Sequence, residues 1–143
     1  MKRFVVTAVL FACGLGAAAA DSDAIAQRRA LMKANGEASQ PIVAMMKGGP
    51  FDLAAVQKAL KTYVDAAEKA PALFPPDSKT GDTHALPAIW DNKADLDARF
   101  AKLKAEATAD LASITDEASF KAKMPDIYKN CGGCHELYRA KLN

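Results

Sequence analysis

Apolar side chains recur every three or four residues along most of the chain after residue 20, and this spacing predicts amphipathic helices. Four such stretches are separated by turn signals, and no stretch alternates apolar and polar residues as a half-buried strand would. Helices with one apolar side bury it by packing against one another. The pattern therefore predicts an all-α fold, an antiparallel four-helix bundle.

The turn signals place the ends of these helices. The first apolar stripe begins at Ile25 and stops at Lys-Gly-Gly-Pro, residues 47–50. Four prolines between residues 70 and 90 predict a long connection between the second and third helices. Three aspartates are expected to cap the helices that follow them: Asp52, Asp91 and Asp116. Two prolines inside the stripes predict kinks: Pro41 and Pro125.

The first twenty residues have a different pattern from the rest. A basic start at residues 1–3 precedes an apolar run at residues 4–15, and three alanines at residues 18–20 follow. This is the layout of a secretory signal peptide, and the run is shorter than the roughly 20 residues that a membrane span needs. We expect residues 1–20 to be removed and residues 21–143 to form a four-helix-bundle domain in the bacterial periplasm, without a stable membrane span.

Removal of the signal peptide changes the charge and the cysteine count. The full chain of 143 residues has 19 Lys+Arg against 17 Asp+Glu and three cysteines. Lys2, Arg3 and Cys13 leave with the signal, so the mature chain is formally neutral and keeps two cysteines. A neutral chain has no field that favours nucleic acid, and this length excludes a barrel enzyme.

The two remaining cysteines lie in Cys131-Gly-Gly-Cys134-His135, and C-x-x-C-H is the covalent attachment site of c-type haem. On a helix, positions i, i+3 and i+4 share one side, so both sulfurs reach one haem edge and the adjacent imidazole reaches the iron. A redox C-x-x-C normally follows a strand, and a zinc site needs a second ligand pair. The sequence therefore predicts one covalent haem c, attached through Cys131 and Cys134, with His135 as the proximal iron ligand.

The residue on the opposite side of the iron decides the function. Met124 lies eleven residues from His135 on the same helix, about 16 Å along its axis, so it cannot lie opposite. The first and last helices of such a bundle run antiparallel, which brings Met32 to a level similar to that of His135. The level of Met32 along the bundle axis alone leaves three alternatives open: Met32 binds the iron, Met32 is a core residue, or the iron position opposite His135 is empty. His84 in the proline-rich connection is interpreted as a solvated loop residue.

Four segments form a recognisable set: the 131–139 segment ending in Arg139, Lys-Gly-Gly-Pro-Phe-Asp at 47–52, Pro-Ala-Ile-Trp at 87–90, and Arg-Arg-Ala-Leu-Met-Lys at 28–33. In these segments the chain resembles the cytochrome c prime family, the class II c-type cytochromes. The resemblance covers nearly all of the mature sequence. High-spin members tend to place an apolar residue, often leucine, over a vacant iron position four residues after an arginine. Met32 stands at that place here, four residues after Arg28.

The resemblance therefore implies the low-spin branch, in which methionine is the distal iron ligand, here Met32. It also implies a four-helix bundle with haem near one end, existing as a monomer or homodimer. Within that bundle, Arg28 is expected to approach a haem propionate, and Arg139 is expected near the proximal haem face.

Iron bound by both His135 and Met32 has no open position, and Met/His ligation raises the reduction potential. We therefore expect a one-electron carrier that is not an enzyme, with redox proteins as partners and no nucleic acid. The alternative is a five-coordinate protein that binds NO or CO. A haem peroxidase would need an open distal site with a proton-handling residue. A non-catalytic subunit docked on an enzyme would have the same sequence features.

Overall fold

A computed structural model describes the backbone of residues 16–141 and the side chains of residues 23–141. In this part the chain forms five α-helices and one 3-10 helix: α1 (Gly16–Met46), α2 (Leu53–Lys69), the 3-10 helix (Ala70–Leu73), α3 (Ala88–Asp91), α4 (Lys93–Ser113) and α5 (Glu117–Tyr138). The only β pairing among these residues is one isolated antiparallel bridge, Ala85 with Arg139. The predicted all-α bundle is confirmed, and α3 is an additional single turn.

The described helix α1 begins at Gly16, earlier than the Ile25 at which its apolar stripe starts. Residues 17–20 are all alanine, the residue with the highest helix propensity, which explains helical backbone before the stripe. Residues 1–15, with Cys13, lie outside the described residues, and cleavage after Ala20 stays a prediction. No helix in the described part is both long and apolar enough to cross a membrane.

Two of the three predicted caps are confirmed. The Asp52 carboxylate accepts the Ala55 N–H at 3.1 Å, and Asp116 accepts the Ser119 N–H at 2.8 Å in a reciprocal capping box. The prediction for Asp91 is wrong, because Asp91 is the last residue of α3 and α4 begins after Asn92. Proline favours helix starts, and an extra turn that begins after Pro87 takes in Asp91. Both Pro41 and Pro125 lie inside continuous helices.

Side-chain contacts establish that neighbouring helices run in opposite directions. From the α4–α5 turn outward, Lys123 contacts Asp110 at 3.5 Å, Asn130 donates to Glu106 at 3.4 Å, and Tyr138 donates to Asp95 at 2.5 Å. As the position along α5 rises, the position along α4 falls, which is the antiparallel register. The α1–α2 pair shows the same order, with the Met45 sulfur beside Asp52 and Ser39 beside Tyr63.

Among the described helices, α2 and α4 pack most closely against each other. α1 packs on α2 and the 3-10 helix, whereas α5 packs on α4 and α3. Among the described residues, α1 and α5 make almost no close backbone contact with each other. We call the space between them the α1–α5 seam. Long side chains and the 73–86 connection span this seam, and the predicted haem residues lie on its two walls.

Candidate haem site

The C-x-x-C-H motif lies within the last two turns of α5. Cys131, Cys134 and His135 are each half-buried, and both cysteines are free thiols that pack against the apolar core. Burial raises the pKa of both thiols. Burial, and then the positive charge of Arg139, lowers the pKa of His135, so its imidazole is neutral and keeps a lone pair for a metal. The three side chains thus share one helix side, in the arrangement that covalent haem attachment requires.

Met32 is half-buried on α1 and packs against the same apolar core as the two cysteines. One contact across the seam sets the level of α1 against α5: the Tyr128 hydroxyl donates to the Ser39 carbonyl oxygen at 3.4 Å. Seven residues back along α1 from Ser39 is Met32, and seven residues forward along α5 from Tyr128 is His135. Both steps are two helical turns, about 10 Å, on one helix side. This register puts Met32 and His135 at the same level on opposite walls.

A hydroxyl cluster of Ser39, Tyr63 and Tyr128 spans the seam two turns below that level, where below means toward the α1–α2 turn. Ser39 donates to the Asn35 carbonyl at 2.7 Å, the Tyr63 hydroxyl lies 2.7 Å from Ser39 Oγ, and the Tyr128 hydroxyl lies 3.4 Å from that of Tyr63. Burial raises the pKa of Tyr63, so its hydroxyl keeps its proton. The cluster was missed from the sequence because Tyr63 falls on an apolar stripe of α2.

Arg28 lies one turn before Met32 on α1 and is only 4% exposed. Its four terminal N–H groups donate to protein oxygens: Leu73 O at 3.1 Å, Ser78 Oγ at 2.8 Å, Ser78 O at 2.9 Å and Thr83 Oγ1 at 2.8 Å. The guanidinium also lies 5.0 Å from the Phe74 ring centre and 5.7 Å from that of Trp90. None of the described carboxylates forms an ion pair with Arg28. Its predicted contact with a haem propionate stays a prediction.

A second polar group lies beside Cys134 on the α4 side. The Asp95 carboxylate accepts the Tyr138 hydroxyl at 2.5 Å and the Arg99 Nε–H at 2.6 Å. A Cβ added at Gly133, inside the motif, would lie 3.7 Å from an Arg99 terminal nitrogen. Asp95 and Arg99 were missed as site residues, because only the α4–α5 register brings them to the motif.

Arg139 and His84 occupy the end of the bundle. Arg139 is exposed directly after α5, where its backbone N–H donates to the His135 carbonyl at 3.1 Å. Arg139 therefore lies near His135, although its predicted place at a haem face stays a prediction. His84 is exposed in the long connection, and its carbonyl accepts the Ala140 N–H at 2.8 Å. This exposure agrees with the interpretation of His84 as a solvated loop residue.

Three observations test whether the seam fits a haem c. The two helices that carry the motif and Met32 have almost no close backbone contact with each other in the described part. Cys131, Cys134 and His135 offer two thiols and an imidazole from one side of α5. Arg28 is a buried cation that none of the described carboxylates neutralises, so the two propionates of a haem would offset its charge even though its four terminal N–H groups already donate to protein oxygens. The residues present therefore fit the group that the motif predicts.

Comparison with known proteins gives concordant matches. The family model described as Cytochrome C′ matches residues 23–139. A cytochrome c′ from Rhodopseudomonas palustris is 52% identical over 141 residues, covering 97% of each chain. A cytochrome c-556 from Agrobacterium fabrum is 38% identical over 141 residues, covering 97% of this chain and 96% of its own.

Solved structures agree with these matches. The cytochrome c′ structure from R. palustris has a TM-score of 0.81 at 54% identity, over 85% of this chain and 98% of its own. The structure of R. palustris oxidised cytochrome c556 has a TM-score of 0.77 at 33% identity, over 85% of this chain and 99% of its own. Both branches of relatives therefore share this fold over almost their whole length.

Proposed function

The chain belongs to the cytochrome c′ family, and from that premise we propose that it is a periplasmic one-electron carrier with a low-spin haem c. Its relatives include proteins named cytochrome c′ and proteins named cytochrome c-556, and both names denote haem c cytochromes. Family membership supports a single covalent haem c and a role in electron transport. The iron ligands and the individual role are the finer part of the proposal.

Cys131 and Cys134 hold the haem through thioether bonds, and His135 is the proximal iron ligand. When bound, the haem supplies an iron centre that takes up and releases one electron. The chain would orient this group through two neighbouring turns of α5, which present both sulfurs and the imidazole on one side of the helix. Apolar core residues packed behind the cysteines exclude water from that side.

Met32 is the distal iron ligand. The observation that carries this assignment is the Tyr128–Ser39 contact across the seam, from which Met32 and His135 are each two turns away. A thioether on that side leaves the iron no open position and favours the reduced state. If the same two side chains held the iron in both oxidation states, little rearrangement would accompany electron transfer. This closed arrangement is suited to a carrier and leaves no substrate position for an enzyme.

The test exchanges one methionine at a time for leucine in the holoprotein. Met32→Leu is expected to convert a six-coordinate, low-spin absorption spectrum into a five-coordinate one and to let the reduced protein bind CO rapidly. Met45→Leu is the matched control, because Met45 is on the same helix and only 4% exposed at the other end of the bundle. Its spectrum should stay that of the wild type. An unchanged spectrum in Met32→Leu would remove Met32 from the iron.

The second candidate is a five-coordinate haem protein that binds NO or CO. It is favoured by one specific observation, the 52% identity to a protein named cytochrome c′. In that case Met32 is a core residue, and the wild-type reduced protein itself binds CO rapidly. One experiment distinguishes the two candidates: mixing CO with the reduced wild-type protein and measuring the rate of binding.

The remaining parts of the proposal concern place and partners. We propose removal of residues 1–20 in transit to the periplasm, with redox proteins as partners, no nucleic acid, and a monomer or homodimer. The mass of the protein recovered from a periplasmic extract tests the first part. A mass of residues 21–143 plus one haem supports it, whereas retention of Cys13 contradicts it.

A further inference from the structure

The described backbones of α1 and α5 make almost no close contact, so other parts of the chain must set the distance between these two helices. There are two such parts, one below the Met32 and His135 level and one above it. Below, the hydroxyl cluster joins the two helices through Tyr128 and Ser39. Above, the connection made by residues 73–86, here called the strap, runs from the side of α1 to the end of α5.

The strap is fastened to α1 by Arg28. One guanidinium donates four hydrogen bonds of 2.8–3.1 Å to strap residues Leu73, Ser78 and Thr83. Ser78 is itself completely buried, and its hydroxyl and N–H both approach the Pro75 carbonyl. The neighbouring Arg29 also contacts the strap, at the carboxylate and backbone carbonyl of Asp82, but both side chains are largely solvent-exposed there. Arg28 therefore holds the strap through buried hydrogen bonds, whereas Arg29 contacts it through a surface ion pair.

The strap is fastened to α5 by backbone hydrogen bonds. The Leu86 N–H donates to the Tyr138 carbonyl at 3.0 Å, and the Ala140 N–H donates to the His84 carbonyl at 2.8 Å. Thr83 continues the connection, because its hydroxyl accepts both Arg28 and the Ala85 N–H at 3.1 Å. Hydrogen bonds at both ends of the strap, together with the strap backbone between them, thus connect α1 to Tyr138 and Ala140, which follow the C-x-x-C-H motif by a few residues.

We propose that Arg28 is a positioning residue that, through the strap, fixes the separation of α1 and α5 and thereby keeps the Met32 sulfur within reach of the iron. Arg28 precedes Met32 by one turn, and Tyr138 follows His135 by three residues, so both fastening points adjoin the ligand positions. This inference rests on the proposed ligation by Met32. It gives Arg28 a role distinct from charge pairing with a propionate.

Lysine separates the two roles of Arg28. Lys retains the positive charge that a propionate would need, but it cannot donate in the planar fork that binds three strap residues at once. A role in charge alone predicts that Arg28→Lys behaves like the wild type. A positioning role predicts that the strap loosens and that Met32 leaves the iron more often.

The experiment measures two properties of the reduced holoprotein under conditions in which every variant is folded. One is the rate of CO binding, which reports how often Met32 leaves the iron. The other is hydrogen exchange at the Leu86 and Ala140 amides, which reports opening of the strap. Arg28→Lys should bind CO about tenfold faster or more, as expected for losing one hydrogen bond of a charged group, and should exchange faster at both amides. Arg29→Lys is the control and should match the wild type in both.

Ser78→Ala is a second, milder variant in case Arg28→Lys does not fold. It removes one acceptor of Arg28 and should give a smaller change in the same direction. Wild-type CO and exchange rates in Arg28→Lys, or in Ser78→Ala if that is the folded variant, would overturn the inference. Faster exchange without faster CO binding would also overturn it and leave Met32 ligation intact. Rapid CO binding by the wild type itself would instead overturn Met32 ligation and, with it, the positioning role.

Discussion

Two methionines of α1 occupy opposite ends of the bundle and show how the surroundings decide what a residue does. Met45 is 4% exposed, belongs to the apolar core, and its sulfur accepts the Asp52 N–H at 3.1 Å. Met32 is only half-buried, and no described residue donates a hydrogen bond to its sulfur. The packing partners of Met45 and the hydrogen-bond donor to its sulfur are therefore both groups of the protein. Met32 keeps a sulfur lone pair available for a metal.

The same difference holds for the ends of α1 and α5 as a whole. At the closed end, Phe120 and Met124 are completely buried with Ile42, and the Phe51 and Phe120 rings lie 5.7 Å apart. At the haem end, the candidate haem residues Met32, Cys131, Cys134 and His135 are half-buried, and hydrogen bonds connect α1 and α5 through Tyr128 and the strap. The closed end thus contributes stability by apolar burial, whereas the other end is arranged around a group that the chain does not itself supply.

The largest expected effect removes a side chain at the closed end. Phe120→Ala should lower the free energy of unfolding by about 3–5 kcal/mol, because Phe120 is fully buried and a cavity remains. The haem spectrum of the folded variant should not change, since Phe120 lies fifteen residues from His135, about 22 Å along α5. Urea unfolding followed by helical circular dichroism measures the loss, and Phe120→Leu is the milder control. A changed spin state would contradict the independence of the two ends.

A smaller effect is expected in the hydroxyl cluster. Tyr63→Phe should cost about 1 kcal/mol at neutral pH, because it removes one buried hydrogen bond to Ser39. Burial raises the pKa of Tyr63, so the folded protein holds this proton above pH ~10, where the unfolded chain releases it. Stability should therefore fall as the pH rises beyond about 10, and less steeply in Tyr63→Phe. Urea titrations at neutral and alkaline pH test this, and equal slopes would contradict it.

The smallest effect is expected at the Asp116 cap, which lies far from the haem residues. The Ser119 side chain and N–H lower the pKa of Asp116, so its contribution is present above the unfolded pKa of about 3.9. That contribution is lost as the pH falls through the lowered, folded-state pKa. Asp116→Ala should thus be less stable than the wild type at pH 7 and nearly equal to it in acid. Asp116→Asn, which also caps, is the control. A difference that persists in acid would show another cause.

Local signals in the sequence were sufficient for features that depend on neighbouring residues. The helical stripes, the Asp52 and Asp116 caps and the C-x-x-C-H motif all depend on spacings of three or four residues. Asp91 was misplaced because the extra turn after Pro87 outweighed the cap signal. The partners of Arg28 are 45 to 55 residues away along the chain, and those of the hydroxyl cluster are 24 to 89 residues away. Contacts at such separations arise only when the helices and the strap are packed together in the folded chain.

Ligation by Met32 is the central claim, and methyl NMR of the reduced protein labelled at its methionine methyl groups tests it most directly. A methyl group on an axial sulfur lies over the haem, and the porphyrin ring current shifts the signal of that methyl group far upfield of ordinary methionine methyls. Ligation by Met32 predicts one such signal in the wild type and in Met45→Leu, and the loss of that signal in Met32→Leu. Ordinary positions for every methionine methyl, or signals broadened by high-spin iron, would contradict it.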